Sequence, residues 1–253
     1  MTAIAAAYVP ATGAFIIAAD GRCASDTLPM VIQTDKQQKI FFAQHEQLAV
    51  VYAMTGFART DDGSFDMVTE ADQQIKALIK RSFRDGFDFS TKFYSNIKKS
   101  IEDGIKTGRI AQIPLRETLD PQEKWRLSTF FLLGYYRGVP FWRLIPFYCE
   151  DSLRNVQVRP ETLQLSQFRF ACTGSDKIRG MIYGSIPFDP RLSIYRFSLT
   201  ENSDPFAATT NFVKACSDPV AVVIDPWCRL VGGHIHAAEI TKSGFRWLIP
   251  PVA

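Results

Sequence analysis

No apolar run in this chain of 253 residues reaches the roughly 18 needed to span a bilayer as a helix. The opening stretch, MTAIAAAYVPATGAFIIAAD, lacks the basic start of a secretory signal. A cytoplasmic protein with no membrane partner is therefore expected. A surplus of one charge is missing as well. Lys and Arg number 29 against 26 Asp and Glu, spread along the whole length, so the basic face or tail that nucleic acid requires is not there. Cysteine is scarce: Cys23, Cys149, Cys172, Cys216 and Cys228 form an odd, scattered set without CxxC spacing. Such a set excludes a disulfide framework and a cysteine zinc site, and the five read as reduced, mostly core residues. Of the 3 histidines, His234 and His236 alternate on one strand face, yet no third ligand is evident. Neither a metal nor an organic cofactor is expected. Linkers, repeats and low-complexity stretches are also lacking, and the chain reads as a single domain over 1–253.

What the chain does have is apolar and aromatic side chains, 46% and 13% of its residues, enough to fill a sizeable core. Two short apolar segments, Ile4–Val9 and Ala14–Ala19, flank Pro10-Ala11-Thr12-Gly13, which is turn chemistry of hairpin length. Residues 39–42 and 48–54 read as a second strand pair, broken at Thr55-Gly56. Phe65, Val68, Ala71, Ile75, Leu78 and Ile79 then recur at helical spacing, as do Tyr94, Ile97, Ile101 and Ile105, which predicts two successive helices. Strand character returns over 127–148 around Arg137-Gly138-Val139 and continues in RNVQV. FRFACTGS leads into a helix in DKIRGMIYG. Asp204-Pro205 supplies an N-cap and a first-turn proline for another helix, to residue 216. HIHAAEI and GFRWLI close the chain as strands around Thr241-Lys242-Ser243-Gly244. The order predicts an α+β fold of two mostly antiparallel sheets covered by two helical layers.

One stretch departs from plain strand chemistry. The second strand runs apolar through Ala18-Ala19 and then meets Asp20-Gly21-Arg22, opposite charges around a glycine. Asp-Gly is a favoured turn pair and charges at strand ends are ordinary, so a surface turn is one reading. A resemblance supplies the other. TAIAAAYVPATGAFIIAADGR, with the element order that follows, resembles the proteasome β-subunit family and its bacterial HslV-type relatives among the N-terminal nucleophile (Ntn) hydrolases. That family's mature chain begins with threonine, runs through a hairpin and ends its second strand in Ala-Ala-Asp-x-Arg, matched here by Ala18-Ala19-Asp20-Gly21-Arg22. Lys39-Ile40 fits the lysine that opens the family's next strand, and Met54-Thr55-Gly56 fits the glycine after the following hairpin. Cys172-Thr173-Gly174-Ser175 is similar to its Gly-Ser-Gly-Ser turn, and VGGHIHAAEITKSGFRWL to its closing Gly-Gly-strand-turn-strand. The implied fold is a four-layer αββα sandwich.

The resemblance also implies a chemistry. Thr2 becomes the nucleophile once Met1 is removed, which small second residues generally permit, so no propeptide is needed. A threonine hydroxyl is a poor nucleophile without a neighbouring base. The α-amine of an N-terminal threonine, with an unperturbed pKa of about 8, is such a base. Asp20 is then a buried carboxylate orienting Lys39, with Arg22 in the same polar cluster, and the Gly56 backbone N–H is a donor to the oxyanion. Thr173, Ser175 and Asp225 stand as supporting residues. The implied substrate is a peptide or a related amide. The implied assembly is a homo-oligomeric ring, which leaves room for an unfoldase partner.

Simpler readings stand beside these. Thr2 also reads as part of a frayed terminus, Lys36 competes with Lys39, Gly56 reads as a strand-ending turn, and Thr173 and Ser175 read as caps of the next helix. The chain departs from the family where active members carry Arg-Asp-x-x-Ser before the Gly-Gly pair. Here the segment is Asp225-Pro226-Trp227-Cys228-Arg229-Leu230-Val231-Gly232-Gly233. Val231 replaces the serine, Cys228 replaces the aspartate, and Asp225 is displaced. Two alternatives follow: an inactive proteasome-like subunit with an assembly or binding role, and an Ntn amidase acting on a small amide. Inserted loops around Leu28-Pro29-Met30 and over 116–121 suit any of the three.

Overall fold

A computed structural model describes residues 2–24, 31–60, 62–110, 125–149, 155–184 and 186–252. Met1 and the two inserted loops, at 28–30 and 116–121, lie outside the described residues. In chain order the elements are β1 (Ile4–Val9), β2 (Ala14–Ala19), the short strands β3 (Cys23–Ala24) and β4 (Ile32–Thr34), β5 (Ile40–His45) and β6 (Leu48–Gly56). Helices α1 (Met67–Leu78) and α2 (Gly86–Lys106) precede strands β7 (Trp125–Tyr136) and β8 (Val139–Cys149). Short strands β9 (Gln157–Val158) and β10 (Glu161–Thr162) lead to β11 (Arg169–Thr173). The chain ends with helices α3 (Asp176–Tyr183), α4 (Pro205–Ser217) and α5 (Pro219–Ile224) and strands β12 (His236–Thr241) and β13 (Gly244–Ile249). The fold is α+β with antiparallel sheets. Its contacts group into two compact units, and one of the boundaries between them falls within β5, after Phe41.

The first unit draws on Met1–Ala24, Val31–Phe41 and Gln164–Ala253. Its five-stranded sheet has the order β11-β1-β2-β12-β13, every pairing antiparallel. The expected opening hairpin is present with the predicted bounds, and its register sets Ile4 opposite Ala19. On the other side of β1, Ile4 faces Thr173, and across β2, Ala19 faces His236. The strands are alanine-rich for a packing reason. Small side chains at Ala3, Ala5, Ala18 and Ala237 share one core with Phe212 and Val213 of α4 and with Ile178 and Ile182 of α3. Helix α4 starts where the sequence predicts, with Asp204 accepting from the Phe206 N–H at 2.9 Å and Pro205 in the first turn.

The second unit comprises Ser25–Met30 and Phe42–Leu163. Its sheet runs β10-β8-β7-β6-β5, with β9 also pairing β8. The β7–β8 hairpin turns on Arg137 and Gly138, both at positive φ (51° and 74°), as a two-residue turn matched to strand twist requires. Helix α1 buries Met67, Ala71, Ile75 and Leu78, and α2 buries Phe89, Phe93, Ile97 and Ile101, each row at helical spacing. Phe93 meets Phe130 of β7 edge-on at 5.5 Å, and Phe89 meets Phe141 of β8 at 6.1 Å. Helix α2 begins well before the predicted apolar row, at Gly86. A Cβ there would stand 2.2 Å from the Phe141 ring, so this glycine is a packing residue rather than a breaker. Among the described residues, no helix is long and apolar enough to cross a membrane.

Gly134 tests the closeness of β6 and β7. A Cβ at this position would lie 2.1 Å from the Ala49 carbonyl oxygen, a backbone atom with little freedom to yield. Gly134→Ala is expected to lower stability by about 1–3 kcal/mol, the usual range for overpacking. An unchanged urea midpoint would refute this account of the β6–β7 contact.

Candidate active site

The first unit gathers the predicted residues around a carboxylate that has no exposure at all. Asp20, immediately after β2, is 0% accessible to solvent. An isolated buried carboxylate is prohibitively costly, and this one is tolerated because four donors converge on it. Oδ1 accepts from the Ala3 backbone N–H at 2.9 Å and from Lys39 Nζ at 3.1 Å. Oδ2 accepts from the backbone N–H groups of Arg22 and Gly232, each at 3.2 Å. Lys39 is equally committed. At 8% exposure, its ammonium donates to Asp20 Oδ1, to Thr2 Oγ1 at 3.0 Å and to the Arg22 carbonyl oxygen. Three donors meet three acceptors, so Nζ has one place to sit. Lys36, the rival lysine, is exposed, and its backbone N–H bonds the Thr34 hydroxyl at 3.1 Å. The lysine that reaches Thr2 is Lys39.

The glycine between the two charges is required by close backbone crossings, not by a surface turn. A Cβ on Gly21 would lie 2.6 Å from the His234 carbonyl oxygen and 2.7 Å from that of Asp35. Its amide donates to the Gly232 carbonyl at 3.1 Å, and its carbonyl accepts from Gln37 N–H at 2.8 Å. Arg22 then ties the crossing together from the side. Its Nε donates to Asp35 Oδ1 at 2.6 Å, and Nη1 donates to the carbonyl oxygens of Arg229 and Val231 at 2.9 and 3.3 Å. Asp35 was missed in the sequence because it stands alone in a polar connection without periodicity.

The supporting residues form a second polar pair in the same unit. Ser175 Oγ donates to Asp225 Oδ2 at 2.6 Å and accepts from the Ile178 N–H at 3.2 Å. It therefore caps α3 and binds Asp225 at once. Thr173 ends β11 opposite Ile4, and at Gly174 (φ +147°) a Cβ would come within 3.4 Å of Ala3. This brings the 173–175 turn against the start of the chain. Cys228 and Val231, where the family motif carries aspartate and serine, are both buried apolar residues, each at 1% exposure. Burial pushes the Cys172 thiol up to about 12 and holds Cys216 well above the ordinary thiol range, with a hydrogen bond to Cys228 in the same direction. Both shifts favour the protonated thiol, the poorer nucleophile. Gly56 ends β6 at φ +97° with a Cβ position 2.3 Å from the Leu127 carbonyl, which only glycine tolerates. It belongs to the second unit, and its role as an oxyanion donor stays an implication of the resemblance.

The two late histidines are engaged with backbone groups. His236 Nε2 accepts from the Lys39 backbone N–H at 3.0 Å, and His234 Nε2 lies 2.7 Å from the Pro250 carbonyl oxygen. Among the described residues, no cluster of His, Cys, Asp or Glu is arranged to hold a metal ion. His236 titrates far from its ordinary value of 6.5, at about 4. Desolvation by burial is the main cause, and the Lys39 charge adds to it. Chemically, the centre is a hydroxyl held against a buried ammonium, and an ammonium at hydrogen-bond distance favours the alkoxide form of that hydroxyl. No protein-family model matches the chain, and no curated protein matches it either.

Two stability tests follow. Asp20→Ala leaves Lys39 buried without its carboxylate and is expected to cost about 3–5 kcal/mol in chemical denaturation; a Tm equal to wild type would refute the buried pair. The depressed His236 value gives a pH dependence of definite sign. Between pH 6.5 and about 4 the unfolded chain binds a proton that the folded chain does not. The contribution of His236 to stability is therefore whole above pH 6.5 and lost as pH falls toward 4, by on the order of 3 kcal/mol. Urea titrations of wild type and His236→Gln should diverge over that window, and parallel curves would contradict the assignment.

Proposed function

We propose that this protein is an N-terminal threonine amidohydrolase of proteasome type, with Thr2 as nucleophile after loss of Met1. One observation carries the reading: Lys39 Nζ, buried, bonds Thr2 Oγ1 at 3.0 Å and Asp20 Oδ1 at 3.1 Å. The same reading takes the fold as a four-layer αββα sandwich, the assembly as a homo-oligomeric ring, and the substrate as a peptide or related amide.

The chemistry uses only groups of this chain. Removal of Met1 frees the Thr2 α-amine, which in its neutral form accepts the Oγ proton, directly or through a water. The Oγ–C bond forms as the carbonyl oxygen takes up negative charge. Collapse of this adduct expels the amine half of the substrate, which leaves with the proton held by the α-amine. Water, deprotonated by the same amine, then cleaves the ester and restores the hydroxyl. Lys39 stays charged throughout and stabilises the alkoxide, and Asp20 keeps its ammonium in place.

A second reading is favoured by the buried, apolar Cys228 and Val231: a proteasome-like subunit without turnover, serving assembly or binding. Intact mass and mutation separate the two. The hydrolase reading expects protein from its own cell to lack Met1 and to hydrolyse an amide substrate. Thr2→Ala should abolish turnover and, because it removes one of the three acceptors of the buried Lys39 ammonium, should also lower stability by about 1–3 kcal/mol while the protein stays folded. Lys39→Ala should abolish it as well, and the double variant should be no worse than either single one. Turnover at the wild-type rate in Thr2→Ala would overturn the mechanism. A retained or acetylated Met1 on inactive protein would select the subunit reading.

A further inference from the structure

Lys39 reaches Thr2 only if its own backbone is held in place, and the contact that holds it comes from the far end of the sequence. Lys39 precedes β5, so its N–H stands outside that strand, which begins at Ile40. The N–H is buried and donates to His236 Nε2 at 3.0 Å, across 197 positions of sequence. His236 is the first residue of β12 and pairs with Ala19, the residue before Asp20. One residue thus links the two stretches that carry the ion pair: its backbone is in register with Ala19, next to Asp20 in the chain, and its ring accepts from the Lys39 backbone N–H.

We infer that His236 is a positioning residue for Lys39, its neutral imidazole setting the backbone from which the ammonium spans Asp20 and Thr2. The ring is fixed for this task. Nε2 accepts, so the neutral ring carries its proton on Nδ1. The Trp247 ring packs edge-on against it with centroids 6.2 Å apart. The charged or titratable groups facing it are the Lys39 ammonium, which disfavours its protonation, and His234, whose charge disfavours it while its backbone favours it. From β2 it meets Ala19, and from β13 Trp247, neither of which carries a charge. Adding a proton at Nε2 would set two N–H groups against each other and bring a second cation beside Lys39. The acceptor would be lost, and with it the fixed start of β5.

The catalytic half of this inference rests on the hydrolase reading; the positional half does not, and the experiment separates them. NMR titration of the whole protein from pH 7.5 to 3.5 should show the Lys39 amide shifting with the same midpoint as the His236 ring, near 4. In His236→Gln, which offers an acceptor that does not titrate, that step should vanish. A Lys39 amide indifferent to the His236 titration, or the same step in the Gln variant, overturns the inference. The second arm measures acylation of Thr2 by a β-lactone, read by intact mass. His236→Phe, which fills the space but accepts nothing, should slow labelling by up to about a hundredfold, the usual consequence of a misplacement near 1 Å. His236→Gln should recover most of the loss at pH 7 and show a flatter acid limb than wild type. Wild-type labelling rates in the Phe variant overturn the inference too. If wild-type Thr2 is never acylated, the hydrolase reading falls, and the NMR arm still decides where Lys39 takes its position.

Discussion

The buried pair of Asp20 and Lys39 is the constraint on which the first unit depends. A carboxylate at 0% exposure stays ionised only where donors replace its lost water, and here they arrive from four separate stretches: Ala3, Arg22, Lys39 and Gly232. Each brings its own element. The opening hairpin supplies Ala3, the connection before β5 supplies Lys39, and the segment before β12 supplies Gly232. The pair is therefore a condition for these pieces to lie together as well as a product of their doing so. Replacing such a pair with apolar residues of similar volume is often neutral for stability, whereas removing one partner is not. Stability alone does not require an ion pair here; placing an ammonium 3.0 Å from a hydroxyl does.

Convergence on one carboxylate brings backbones together more closely than side chains allow, and the glycines follow from that. Gly21 crosses both Asp35 and His234, and Gly233, at φ +73°, would set a Cβ 2.3 Å from the Asp35 carbonyl oxygen. The Asp-Gly-Arg stretch that suggests a surface turn is in fact a crossing point. Asp20 turns inward to the ion pair, Gly21 makes room, and the Arg22 side chain clasps Asp35 and the 229–231 backbone.

Local chemistry was legible in the sequence, and long-range pairing was not. The hairpin over Ile4–Val9 and Ala14–Ala19 appears with its predicted bounds, because the apolar runs and the Pro-Ala-Thr-Gly turn are adjacent in sequence. The α4 cap at Asp204 appears for the same reason. Residues 39–42 underestimated β5, and 48–54 stopped short of β6, which keeps pairing with β7 through Gly56 opposite Ser128. A glycine at positive φ ends that strand later than its sequence suggests. Lys36 and Lys39 sit in the same polar run and the sequence favours Lys39 only because a strand follows it directly; burial and the bonds to Thr2 and Asp20 separate the two. Asp35 stands alone in a polar connection and carried no signal of its role, and the alternation of His234 and His236 on one strand face said nothing of a partner 197 positions away.

That residues 225–233 do not read Arg-Asp-x-x-Ser bears differently on the fold and on the proposed chemistry. The 229–232 segment meets the ion pair through backbone atoms alone: the Arg229 and Val231 carbonyl oxygens accept from Arg22, and the Gly232 N–H donates to Asp20. Backbone contacts do not depend on side-chain identity, so valine and cysteine at 231 and 228 leave the anchoring of Asp20 intact. What they remove is a hydroxyl and a carboxylate from that segment, whereas the 2.6 Å bond between Ser175 and Asp225 joins one of each across 50 positions of sequence. The anchoring of Asp20 and the side-chain chemistry of that segment thus rest on different atoms of one short stretch. The geometry of Thr2, Lys39 and Asp20 therefore supports the hydrolase reading more strongly than the 225–233 sequence alone would allow.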